Sequence, residues 1–169
     1  MLSVRQLEPA DAAAFLELRV YGLETEPTAF SSSPEEERGE ALERIGARLA
    51  DPEGAMFGAF WNGTLCGLTG IRRECALKLR HKAFIWGVFV HPDHRRHGAG
   101  RALIAAAIAH AQTWPGVDQL SLSVNETNVS AQRLYESFGF EVFGREARYM
   151  IVDGVAQDER HMTLNLDRR

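Results

Sequence analysis

The chain has no apolar stretch long enough to cross a bilayer. Nothing in its 169 residues approaches the roughly eighteen consecutive apolar positions a spanning helix needs, so no membrane role is expected. The opening MLSVRQLEPADAAAF has acidic residues within its first dozen positions and no apolar h-region, which argues against a secretory leader and for a cytoplasmic protein. Cysteine is scarce. Cys66 and Cys75 stand in expected strands with no C-x-x-C and no Cys/His ligand spacing, which excludes a disulfide framework and predicts buried thiols in a reducing compartment. Excess positive charge is also missing: a net charge of −4 argues against general nucleic-acid binding. There is no internal repeat, low-complexity tract or long linker, so residues 1–169 read as one soluble domain able to bury roughly 70% of its unfolded surface.

What is present concentrates between Phe84 and Leu103, FIWGVFVHPDHRRHGAGRAL. An apolar run, a Pro break and a basic turn with two glycines lead into an Ala/Leu-rich helix. Glycines let backbone N–H groups face a ligand, and a helix N-terminus adds partial positive charge, so residues 95–101 predict a phosphate cradle. The N–H groups of residues 96–101 carry most of that binding, and Arg95, Arg96 and Arg101 add charge-assisted hydrogen bonds. A dinucleotide fingerprint fails, because Leu103 occupies the third glycine position and Asp118 precedes the next strand rather than ending it. A Walker loop fails for want of Gly-Lys-Ser/Thr. His91, His94 and His97 recur every three residues, yet Pro92 interrupts them and no acidic or cysteine cluster joins them; they read as a solvated loop, with no metal.

Thirty residues on stands a second box, NETNVSAQRLYESFGF, from Asn125 to Phe140. R-x-x-G-x-G followed by N-x-x-A-x-x-L-Y-x-x-x-G-F resembles the GNAT superfamily of acyl-CoA-dependent N-acetyltransferases, with the matched core over about residues 84–144. The resemblance implies acetyl-CoA as cosubstrate. It implies cofactor contacts from Val88, Phe89, Val90, Arg95, Arg96, His97, Gly98, Ala99, Gly100, Arg101, Asn128 and Tyr135. The backbones of Val88 and Val90 would pair with the pantetheine amides as an added strand does, with Phe89 facing the opposite side of the sheet. Tyr135 would be the catalytic acid, beside the departing thiolate; a phenol and a thiol differ by about 1.5 in pKa, so full proton transfer is uphill by roughly 2 kcal/mol and hydrogen bonding serves as well. Asn128 reads equally as an N-cap and as a neighbour of the cofactor arm. Leu134, Phe138 and Phe140 read as core, and Gly139 as a left-handed helix end.

Periodicity gives the layout. A strand covers 3–7, and a helical stripe follows through Ala12, Phe15, Leu16, Leu18 and Arg19. Tyr21 to Ser33 reads as a loop, and Ser33-Pro34 starts a helix running to about Ala50. Strands at Met56–Trp61 and Leu65–Arg73 flank an Asn62-Gly63 hairpin turn. Strand 80–90, helix 98–113, strand 117–124, helix 129–138 and strand 140–148 follow, and Asp153-Gly154 turns into a last strand at about 157–166. The expected fold is α/β in the α+β sense: a mixed, mostly antiparallel sheet of six to seven strands, about four flanking helices and one β-α-β crossover over 80–124. In the family the two crossover strands splay apart to admit the pantetheine arm.

The expected activity is transfer of an acetyl group from acetyl-CoA to a primary amine of a small molecule or peptide, by direct attack. The alternatives are a non-catalytic acyl-CoA-binding regulatory module and an acyltransferase for a larger acyl group. Many relatives carry a Glu on the strand before the phosphate loop where this chain has Phe84, so the general base is open among Glu74, His81, Glu126 and an ordered water chain. Glu24, Glu26, Glu35, Glu36 and Glu37 border the family's acceptor cleft and either attract a cationic amine or simply favour a helix start. Trp61, Trp86, Tyr149 and Phe30 either wall an acceptor pocket or pack. A homodimer is the expected assembly, as the commonest closed one.

Overall fold

Two dipeptides set the hairpins of this chain. Asn62 (φ 49°) with Gly63 (φ 86°), and Asp153 (φ 48°) with Gly154 (φ 77°), hold the paired left-handed conformations that fold twisted strands back on themselves. In the computed structural model, which describes residues 1–166, they join β2 (Gly54–Trp61) to β3 (Thr64–Arg73) and β6 (Glu141–Val152) to β7 (Val155–Asn165). With β1 (Leu2–Gln6), β4 (Lys82–Val90) and β5 (Gln119–Asn125) they form one seven-stranded sheet in the order β1-β2-β3-β4-β5-β7-β6. Every pairing is antiparallel except β4 with β5, the crossover pair.

Alternation along the strands divides the core in two. Ala55, Phe57 and Ala59 of β2 face the crossover helix α4 (Ala99–Thr113), whose Leu103, Ile104, Ala107 and Ala111 are fully buried. Met56 between them faces α1 (Ala12–Thr25) and α3 (Leu42–Leu49), where Phe15, Leu18, Ile45 and Leu49 complete a second cluster. A short helix α2 (Pro34–Arg38) precedes α3, and α5 (Val129–Glu136) lies on the α4 side, with Tyr135 and Phe140 in the first cluster.

Three expectations are corrected. The loop expected from Tyr21 begins later, since the helix from Ala12 runs to Thr25 and carries Gly22 close against Phe89, where a Cβ would lie 3.1 Å from the ring. The helix expected from Ser33 to about Ala50 is two helices, parted at Gly39–Ala41. Cys66 is buried as expected, but Cys75 is exposed, since β3 has already ended at Arg73.

The detail that shapes the function lies in β4. Leu68 and Gly70 of β3 pair with Phe89 and Trp86 of β4, so the single Thr69 between them on β3 opposes two residues on β4, Gly87 and Val88, with Gly87 at φ 62° in the bulge. The bulge shifts the alternation: Ala83 and Ile85 face α4 before it, Val88 and Val90 face α4 after it, and Phe89 turns to the α1 side. On the other edge β4 pairs with β5 only through Lys82–Gln119, Ala83–Leu120 and Phe84–Ser121. Beyond Phe84 the two strands part.

Candidate active site

The gap between β4 and β5 is a cavity of about 560 Å³. Ile85 to Val90 form one side and Ser123 to Asn125 the other; the start of α4 and the inner face of α5 close it, and Glu26 and Ala29 stand at its rim. Of the residues named from the resemblance, all but His97 border this space. His97 lies instead against Trp61, with ring centres 5.1 Å apart, and only its backbone belongs to the turn. The histidine series forms an aromatic ladder in which His94 also meets Trp61 and His91 stacks on Tyr21 at 4.7 Å. Among the described residues, no group of three or more His, Cys, Asp or Glu side chains could hold a metal ion.

The mouth of the cavity is built from backbone. Arg96 (φ 65°) and Gly98 (φ 86°) are both left-handed, and α4 starts on Gly98, which has no side chain to cap it. The N–H groups of the first helical turn therefore have no intrahelical acceptor and remain available to an anion. The arginines divide their work. Arg95 donates from Nε to the Val90 carbonyl (2.9 Å) and from Nη2 to Glu26 (2.7 Å), so it fastens the rim to the strand. Arg101 donates to Ser137 Oγ (3.1 Å) and lies 4.9 Å from the centre of the Phe138 ring. Arg96 is exposed at the mouth and has no ion-pair partner among the described residues. Along the wall, the β5-facing edge of β4 beyond Phe84 has no strand partner, which suits an extended ligand carrying amides.

Tyr135 of α5 lines the cavity and is only 5% exposed. Burial, and after it the carboxylate of Glu159, push its phenol well above the usual range, so it stays neutral and keeps its proton. Asn128 caps α5, its Oδ1 accepting from the Ala131 N–H (3.1 Å), and borders the cavity as well.

The suggested bases do not reach this space. Glu74 and His81 sit at the end of the crossover where the strands are still joined: the Glu74 N–H bonds to Lys82 and the His81 carbonyl accepts from Asp118 and Gln119. Glu126 takes a bidentate arginine from Arg145 (2.8 and 3.0 Å), which with Arg160 holds its carboxyl below the ordinary range. Of the five carboxylates expected at the acceptor cleft, Glu35 is exposed without an ion-pair partner among the described residues and the other four are engaged. Glu24 pairs with Arg38, Glu26 with Arg95, Glu36 closes the cap of α2 on Ser33, and buried Glu37 pairs with Arg19 at 3.2 Å. Trp86 borders the cavity, whereas Phe30 is buried beneath the Arg19 guanidinium.

A polar row on β5, β7 and β6 was not found from the sequence. Ser123 Oγ lies 2.7 Å from His161 Nδ1, and His161 Nε2 lies 3.1 Å from Glu146 Oε2. Two positions before His161 on β7, Glu159 is 7% exposed with one carboxylate oxygen unpartnered; burial, then the Glu146 carboxylate, push it up to about 7. Cross-strand register makes this row, and only the Leu/Ser alternation of Leu120-Ser-Leu-Ser123 hinted at a polar face.

Comparison with known proteins agrees with this geometry. The sequence profile of the Acetyltransferase (GNAT) family matches residues 19–140. The chain is 32% identical over 153 residues to an aminoglycoside N(6')-acetyltransferase type 1 from Stenotrophomonas maltophilia, covering 82% of this chain and 86% of that protein. It is 48% identical over 56 residues to a mycothiol acetyltransferase from Thermobispora bispora, covering 33% of this chain but spanning only 19% of the length of that relative. Among solved structures, a GNAT-family acetyltransferase from Streptococcus pneumoniae superposes with a TM-score of 0.87 at 26% identity, covering 98% of this chain and 100% of that one. YncA from Salmonella typhimurium, solved with its cofactor acetyl-CoA, shares the fold at a TM-score of 0.84 and 22% identity, covering 99% and 95%.

Proposed function

The chain belongs to the acetyltransferase (GNAT) family, and from that premise we propose that it moves an acetyl group from acetyl-CoA to a primary amine by direct transfer. The observation that carries this reading is the parting of β4 and β5 beyond Phe84, with the left-handed turn at Arg96 and Gly98 and the uncapped start of α4 at its mouth. The turn and the first N–H groups of α4 suit a pyrophosphate, and the free edge of β4 at Val88 and Val90 suits the amides of the pantetheine arm. Phe89 serves by its backbone alone, since its ring belongs to the α1 cluster.

Acetyl-CoA supplies an activated thioester; the chain supplies position and proton control. Tyr135 lines the cavity as a neutral phenol able to donate a hydrogen bond. Because burial raises its phenol, full transfer of its proton to a thiolate is more uphill than the roughly 2 kcal/mol of the free groups. Tyr135 therefore works by hydrogen-bonding the departing sulfur, and the proton reaches the thiolate later from solvent or from the new amide nitrogen. A buried phenol lining the cavity also counts against a module that only binds acyl-CoA.

The acceptor is a small-molecule or peptide amine. Two classes to try are aminoglycosides, from the Stenotrophomonas relative, and the alanine of a ribosomal protein, from an Escherichia coli ribosomal protein bS18-alanine N-acetyltransferase that is 39% identical over 74 residues, covering 43% of this chain and 49% of that protein. Exposed and unpaired Cys75 supports a reducing, cytoplasmic setting. A homodimer belongs to the same reading, supported by the apolar Phe143, Ile151 and Val155 exposed on the β6–β7 hairpin, and sedimentation at two concentrations tests it. The activity is tested by release of free thiol from acetyl-CoA in the presence of an aminoglycoside, an alanyl peptide and spermidine. Turnover with at least one is expected. Binding of acetyl-CoA with no release in any of them would favour the binding module.

A further inference from the structure

We infer that Ser123, His161 and Glu146 form the relay that takes the proton from the acceptor amine. The inference rests on the proposed acetyl transfer and fills the place of the missing strand carboxylate.

The relay is placed by register. Ser123 stands two residues past the last β4–β5 pair and lines the cavity where the strands have begun to part. His161 is directly opposite it on β7, and the residue opposite His161 on β6 is Gly144. With no side chain at Gly144, the imidazole can extend across β6 toward Glu146. The ring is flanked by Phe143 (6.1 Å between centres) and Tyr149 (6.0 Å), and His161 retains 25% of its side-chain exposure.

The two contacts of the ring fix its protons. A carboxylate accepts only, so the 3.1 Å contact with Glu146 places the N–H on Nε2 and leaves the lone pair on Nδ1. Nδ1 therefore accepts the Ser123 hydroxyl proton over 2.7 Å. That leaves the Oγ lone pairs directed away from the ring to accept from a group in the cavity. Glu159, on the same face and paired across the strands with Glu146, stays largely protonated below about pH 7, so Glu146 is the carboxylate facing the imidazole. The arginines of the hairpin, Arg145 and Arg160, point to Glu126 and do not neutralise Glu146.

The step balances without any further reactant. The acceptor ammonium gives one proton to Ser123 Oγ as the Ser123 hydroxyl proton passes to His161 Nδ1. The imidazolium formed is held by Glu146, and the freed amine lone pair attacks the thioester carbonyl. The C–N bond forms, the C–S bond breaks with its electron pair on sulfur, the thiolate is hydrogen-bonded by Tyr135, and the second proton of the acylated nitrogen passes to the thiolate, leaving a neutral amide and free thiol. His161 returns its proton to solvent through its exposed edge. Ser123 touches the acceptor; His161 and Glu146 act through it as positioning and proton-accepting groups.

The test compares the parent with Ser123→Ala, His161→Ala and Glu146→Gln, using whichever of an aminoglycoside, an alanyl peptide or spermidine the parent acetylates fastest. Acetyl-CoA affinity, measured by calorimetry, reports that each variant is folded and is expected to be unchanged. General-base loss is expected to lower kcat by about 10²-fold or more in His161→Ala and Ser123→Ala, and about 10-fold in Glu146→Gln. Imidazole added to His161→Ala should restore rate, and the deficit should shrink as rising pH supplies free amine. A His161→Ala enzyme with parental kcat, or one whose deficit ignores both imidazole and pH, overturns the relay. So does an acetyl group found on the intact protein before amine is added, which would make Ser123 a nucleophile. If the parent binds no acetyl-CoA or releases no thiol, the proposed function fails first, and the relay with it.

Discussion

Tyr135 shows how a side chain's surroundings change its chemistry. On an exposed helix its phenol would be a modest acid; here burial and the nearby Glu159 carboxylate keep it neutral, so that its proton is held for donation rather than released. Tyr135→Phe is expected to lower kcat by roughly 10²-fold while leaving acetyl-CoA affinity within twofold, and steady-state kinetics with calorimetry checks both. Glu159 makes the matching prediction for stability. Its carboxyl is raised to about 7 by burial, so the folded protein retains a proton that the unfolded chain releases near pH 4.5. A group raised in this way contributes its full stability below the unfolded value, and that contribution is lost as pH rises through about 7. Glu159→Gln should therefore gain Tm relative to the parent between pH 5 and pH 8. A gap that stays constant over that range would contradict the burial of the charge.

Elements show which residues could be read ahead of the structure and which could not. Asn62-Gly63 and Asp153-Gly154 were legible as hairpins because two consecutive left-handed residues are a demand few dipeptides meet. The turn at 95–101 was legible for a similar reason, as glycine and arginine precede an apolar helix. The loop expected from Tyr21 to Ser33 begins only after Thr25, because Pro27 and the serines mark a loop without marking the residue at which the preceding helix ends. The bulge at Gly87 and the row Ser123–His161–Glu146 depend on which residues face each other across strands, and no local pattern encodes that pairing. Arg95 was read as a phosphate ligand, but the fold directs its guanidinium to Val90 and Glu26. The cradle itself is open to test at Gly98, where φ is 86° and a Cβ would meet nothing within 4 Å. Gly98→Val should fold, yet strain the turn by about 1–2 kcal/mol and weaken acetyl-CoA binding by about 10-fold or more. Circular dichroism and calorimetry read the two effects separately, and parental affinity in the folded variant would refute a backbone cradle.

At the scale of the whole molecule, the sheet is a partition with a gap in it. One apolar cluster fixes α4 and α5 on one face, the other fixes α1 and α3 on the opposite face, and the parted strands connect the two sides. A thioester carried in from the α4 side can thus meet an amine approaching from the side of Ser123 and His161. The chain carries a net charge of −4, so the positive charge at the mouth is a local feature of Arg96, Arg101 and the helix start. Titration with acetyl-CoA, with ATP and NAD as controls, tests this arrangement most directly. Saturable one-to-one binding of acetyl-CoA well above either control, weakening as salt rises, is the expected result. Tight binding of ATP or NAD with none of acetyl-CoA would contradict it.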